Sequence, residues 1–235
     1  MLIMNRIFKS FLLGWIILSV AFWIYYSIYI EFVVQIMYYF IWLGIIGSLV
    51  FIFRDKLRDF VQRKKGGFFL FLGIGYFMVL LEELFAAFLN HLTEGFSFPL
   101  FFERVGQFWV FNVFAFTGLF VGLYLLTRKI EYSFLELFFL SGAIGIFSEG
   151  IYLIVFSNPL EFFFSAPLIV LTYGLIVTPA LWSLSPIYQK RFSSLTRYIL
   201  GIVVLFVGVV VSGIVVDALR RAWPWIFPPE KFIPL

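Results

Sequence analysis

Cysteine does not occur in this 235-residue chain, and histidine occurs once, at His91. The first absence excludes disulfides, thiolate metal centres and cysteine nucleophiles. The second excludes the multi-histidine metal sites of membrane proteases and desaturases within one chain. Charge is scarce as well: 13% of residues are Asp, Glu, Lys or Arg, against about a quarter in soluble domains. What fills the chain instead is apolar, 63% hydrophobic with 35 Phe. A soluble globular fold is excluded by these proportions, and the partner they imply is a lipid bilayer. The net charge of +4 is no nucleic-acid signature, because the basic residues sit where membrane topology wants them.

Seven apolar runs follow one another, at 11–30, 32–53, 66–92, 105–127, 132–156, 166–184 and 198–216. Each is close to the ~20 residues that a helix needs to cross hydrocarbon. The first is too long for a signal peptide and lacks an A-x-A-like cleavage site, so it is read as a span. Segments of this length satisfy their own backbone in lipid only as helices. The expected fold is therefore an all-α polytopic bundle of seven transmembrane helices, multi-pass in the cell membrane. It forms a single membrane domain, 1–235. Within it, 11–65 is an N-terminal hairpin ending in the basic run RDKLRDFVQRKK, and 198–235 is the last helix with an interfacial tail carrying Trp223 and Trp225.

With the N-terminus inside, Arg104, Arg220, Arg221 and Lys231 fall outside, and the other thirteen of the 17 basic residues fall inside. The positive-inside rule then predicts N-in/C-out. The units 66–131 and 132–197 align with a shift of 67 residues, which superimposes Gly75 on Gly142 and Glu82 on Glu149. Spans three and four would then repeat in spans five and six, in parallel, as in some transporters.

Glu82 and Glu83 lie well inside the third run. A charged side chain at such depth costs on the order of 2.5–3.5 kcal/mol, so two in succession mark a candidate site. Glu149, Asn112, Thr172 and Tyr173 reach a similar outward depth at ~1.5 Å rise per residue, with Asn90 and His91 nearer the outer boundary. No Lys or Arg falls in that layer. The three carboxyls must therefore carry or share protons, or hold a cation. Neighbours on a helix point ~100° apart, so Glu82 and Glu83 cannot both face one point. Ala86, Ala87 and Gly150 are expected to leave room beside them. His91 is expected as an ordinary interfacial side chain, and the Phe excess as lipid-facing bulk.

No cofactor motif is evident, although a bound cation would suit the carboxyls. Three functions remain open. One is a cation- or proton-linked transporter or channel-like protein using Glu82, Glu83 and Glu149. Another is an intramembrane enzyme acting on a lipid or isoprenoid, with a protonated glutamate as general acid. The third is a scaffold subunit in which the carboxyls are interhelical packing groups. The small-residue pairs Gly118/Gly122 and Gly208/Ser212 suit close helix packing, and glycine faces of this kind would also serve homo-oligomers.

The stretch LLEELFAAFLNHL resembles the glutamate-pair helix of membrane-embedded carotenoid cyclases, small multi-helix proteins with internal repeats. The proline before that pair is missing here, and the second copy holds a single Glu149. The same two glutamates resemble the EExxxR segment of intramembrane CAAX-type proteases, without the arginine and without a second histidine. Each resemblance spans about a dozen residues, and neither transfers a residue role.

Overall fold

A computed structural model describes residues 2–29, 34–64, 66–93, 97–184 and 192–227. The expectations placed on Lys65, Lys190, Arg191 and Lys231 lie outside the described residues, as does the end of the tail. The side chains of Arg6, Lys9 and Asn90 are outside them too.

Among the described residues every regular element is helical. In chain order they are α1 (Leu2–Tyr29), α2 (Val34–Tyr39), a π-helical segment (Phe40–Gly47), α3 (Ser48–Ile52), α4 (Arg54–Gln62), α5 (Gly67–Thr93), α6 (Phe98–Lys129), α7 (Phe134–Ser148), a 3-10 turn (Ile151–Val155), α8 (Pro159–Leu181) and α9 (Ser194–Ala222). Five of these, α1, α5, α6, α8 and α9, contain stretches long and apolar enough to cross a membrane. A sixth results if Ile36–Ile52 and Arg54–Gln62, bent by 66° at their junction, count as one span. The chain is thus a multi-pass membrane protein.

The sequence reading misplaces several boundaries. The expected loop at 93–104 is helical from Phe98, because Pro99 sits at the start of α6, where its fixed φ and missing N–H fit a first turn. Pro159 does the same for α8 within the expected loop at 157–165, and Asn158 caps it by accepting the Glu161 N–H at 3.3 Å. The run 132–156 does not form one helix. It becomes the 15-residue α7, which ends at Glu149 because Gly150 turns into the left-handed region at φ 68°. α7 starts on a capping box between Ser133 and Glu136, an S-x-x-E signal legible in the sequence.

α8 is the central helix, packed against α1, α5, α7 and the π-helical segment. Its N-terminal turns hold α1 through Trp15, whose indole donates to the Phe163 carbonyl at 2.8 Å, and through the stacked Phe22–Phe164 pair at 4.2 Å. α6 lies between α5 and α9. Its small-residue pair faces the one on α9: the Gly118 N–H donates to Ser212 Oγ at 2.8 Å. Not all phenylalanines face outward, since Phe71 and Phe120 are fully buried and meet edge-to-face at 6.0 Å.

At the far end from the acidic pair, the Arg197 guanidinium donates to Glu136 Oε1 through Nε at 3.0 Å and Nη2 at 2.6 Å. The Tyr132 hydroxyl donates to the Arg197 carbonyl at 2.8 Å. This clasp ties the start of α7 to the start of α9, and it also satisfies the capping carboxylate.

Glycine is required where backbones touch. A Cβ at Gly118 would collide with the Gly208 carbonyl, and one at Gly145 would enter the Tyr173 ring, whereas Gly213 faces open space. Overpacking of this kind costs about 1–3 kcal/mol. Thermal unfolding in detergent should therefore show Gly118→Ala and Gly145→Ala lowered in Tm and Gly213→Ala unchanged. Equal midpoints for all three would contradict the helix separations described.

Candidate functional site

The site starts from the middle of α5. Glu82 is buried at 9% exposure, and one of its carboxyl oxygens accepts the hydroxyl of Tyr38 from α2. Glu83, one residue on, is half-buried and turned differently. Glu82 beside it and the Asn112 amide of α6 act on its carboxyl. The ~100° step between helix neighbours thus becomes two directions of contact, toward α2 and toward α6.

Glu149 enters from the end of α7. Its Oε1 accepts the Tyr173 hydroxyl of α8 at 2.7 Å, and the same hydroxyl pairs with Ser148 Oγ at 2.8 Å. The Tyr173 ring is buried, packed on Gly145 and stacked on Phe116 with centroids 5.6 Å apart. Glu149 itself is exposed on the surface of the chain. Tyr39 lies close enough to both Glu82 and Glu149 to interact electrostatically with each. Among the described residues, the groups acting on the three carboxyls are phenols, carboxyls and the Asn112 amide, with no Lys or Arg.

Other candidates fall elsewhere. His91 is not interfacial in the ordinary sense: it is fully buried, and its Nε2 accepts the Ser97 N–H at 2.7 Å. It closes the connection from α5 to α6 beside the Phe101 ring, 6.1 Å away. Thr172 is buried next to Tyr173, but its hydroxyl makes no hydrogen bond within the described residues. The space beside the small residues is also filled differently. Ala87 packs on Phe101 and Val105 of α6, and Gly150 serves the turn. No group of three or more His, Asp or Glu among the described residues is placed to hold a metal ion.

Sequence reasoning missed Tyr38 and Tyr39. Two hydroxyl-bearing residues a few positions into an apolar run were the available signal, at a depth matching Glu82 on the neighbouring helix. It also missed the π-helical segment that begins directly after them. Such i→i+5 segments are rare and often sit at functional sites. Here it carries Trp42, whose fully buried indole N–H has no partner among the described residues.

Comparison with protein-family models, with curated proteins and with solved structures finds no match for this chain.

Proposed function

We propose that this protein is a proton-linked transporter or channel-like protein of the cell membrane, with Glu82, Glu83 and Glu149 binding and relaying the proton. The observation that carries the reading is the grouping of acids with phenols inside otherwise apolar helices. Tyr38 donates to Glu82 and Tyr173 to Glu149, while Tyr39, Glu83 and the Asn112 amide act electrostatically on the same acids, with no Lys or Arg among the described residues acting on them. Tyr39 interacts electrostatically with both Glu82 and Glu149, and in this reading its hydroxyl passes a proton from the exposed acid to the buried pair.

A proton suits the geometry better than a metal cation. The Tyr38 and Tyr173 hydroxyls each engage one carboxyl oxygen, and among the described residues no three acids or histidines are grouped to hold a metal ion. In the relay, a proton arriving at Glu149 is exchanged along O–H donors and carboxyl acceptors, and one proton leaves for each that enters. The unpartnered Trp42 indole and Thr172 hydroxyl sit within one turn of Tyr38 and beside Tyr173. Buried polar atoms of that kind call for a partner, which water or the polar group of a small substrate would supply.

The reading keeps seven membrane segments with N-in/C-out, α7 and its 3-10 turn forming the fifth. The distribution of basic residues supports it. A parallel repeat finds support in Gly75 and Gly142, each of which packs on the following helix, at Phe120 and Val170 respectively. The two units differ at their acids, since Glu82 is mid-helix while Glu149 ends one.

One observation favours a second reading, an intramembrane enzyme. Glu149 is exposed at the side of the chain, where a lipid or isoprenoid substrate could meet a protonated acid.

Proton uptake into dye-loaded proteoliposomes separates the two. The transporter reading expects acidification under a pH gradient, reduced about 10²-fold, the scale of a lost proton-transfer group, in Glu82→Gln and Glu149→Gln, with unfolding midpoints retained. Wild-type vesicles no leakier than empty ones would sink it, and lipid turnover lost in Glu149→Gln would install the enzyme. For orientation, a single cysteine in place of Asp59 of this cysteine-free chain should react only with reagents admitted to the cytoplasmic side. Labelling from the outside would reverse the topology.

A further inference from the structure

The helix α4 has no use in the acidic site, and its surface is unusual. The chain turns by 66° into it from the preceding segment. At 100° per residue, Phe53, Leu57, Phe60 and Val61 fall on one side of the helix, and Asp55, Asp59 and Gln62 on the other. Arg54 and Arg58 lie along one boundary between these faces, Lys56 and Arg63 along the other. Only Val61 is buried. Phe53, Leu57 and Phe60 are 44%, 37% and 62% exposed, continuous with Phe51 and Ile52 at 65% and 69%. No part of the described protein covers this apolar face.

The cations are arranged over it. Arg54 stands 4.3 Å above the Phe51 ring, Lys56 5.9 Å above Phe53, and Lys64 5.3 Å above Phe60. Asp55 pairs with Arg58 at 3.0 Å, which offsets part of the charge. Lys56, Arg63 and Lys64 have no ion pair among the described residues. Acids central on the polar face, bases at its edges and aromatics beneath them fit one environment. In the bilayer interface, the rings enter the acyl boundary, the long basic side chains reach the phosphates, and the carboxylates face water.

We propose that α4 lies in the membrane interface and binds anionic phospholipid headgroups through Lys56, Arg63 and Lys64. The complementarity is of charge and of depth together. An uncovered apolar strip alone would accept any lipid, whereas three unpaired cations fringing it select a negative headgroup.

The test uses the full chain in nanodiscs of phosphatidylcholine, alone or mixed with phosphatidylglycerol. Spin labels on Phe60→Cys and Asp59→Cys should report acyl depth and water respectively. Enrichment of phosphatidylglycerol around the protein should fall about fivefold for each of Lys56→Gln, Arg63→Gln and Lys64→Gln, and should survive Lys56→Arg. Equal hydration of the two labels would overturn the placement. Enrichment untouched by all three glutamine variants would overturn the lipid assignment. So would displacement of the phosphatidylglycerol by inorganic phosphate or a short RNA, which would assign the cations to a soluble anion.

Discussion

A carboxyl on a helix in hydrocarbon has to be hydrogen-bonded by groups that other helices supply, and much of this bundle follows from that requirement. Leaving such a group unpartnered in an apolar medium costs several kcal/mol even when it is neutral. Glu82 and Glu83 are consecutive, so their needs point in different directions. α2 brings Tyr38 to one side of α5 as donor to Glu82, while the Asn112 amide of α6 acts on Glu83. Glu149 imposes a third neighbour, with Tyr173 of α8 as its donor.

Close helix approach makes these short side chains sufficient. Gly145 lets the Tyr173 ring lie against α7, and the Gly118–Gly208 contact draws α9 onto α6. Without a hydrophobic force between helices in lipid, such backbone contact and the Gly118–Ser212 hydrogen bond hold the pair together. At the other end, the buried Arg197–Glu136 pair fixes α7 against α9. α7 is thus held at both ends, by charge at one and by the Glu149–Tyr173–Ser148 set at the other, which compensates for its shortness.

The helical class and the acids were legible because both rest on local chemistry: long apolar runs, and carboxyls that have no business within them. Asn112 and Tyr173 were reachable by counting depth along straight helices. The same count misled at Glu149, where one glycine at positive φ ends the helix, and the repeat drawn through that residue diverges there. Tyr38 and Tyr39 were within reach of the same count, since two hydroxyls inside an apolar run lie at a depth matching Glu82, but that match was not drawn. His91 differs for another reason: depth gives nearness to the boundary, but its burial comes from the start of α6, where the Ser97 N–H and the Phe101 ring meet it. The prolines at 99 and 159 could have been read as helix starts rather than loop residues, since first-turn proline is a local rule.

In the proposed relay, Glu82, Glu83 and Glu149, with their tyrosines, behave as one proton-sharing unit. Infrared difference spectroscopy of the carboxyl stretch during a pH change, on wild type and Glu149→Gln in lipid, reads that sharing at the acids themselves. A shared unit predicts that removing the ionisable group at position 149 also shifts the bands belonging to Glu82 and Glu83, with Tyr39→Phe weakening that effect. Bands for Glu82 and Glu83 that stay in place and titrate as before, with only the Glu149 contribution missing, would contradict it.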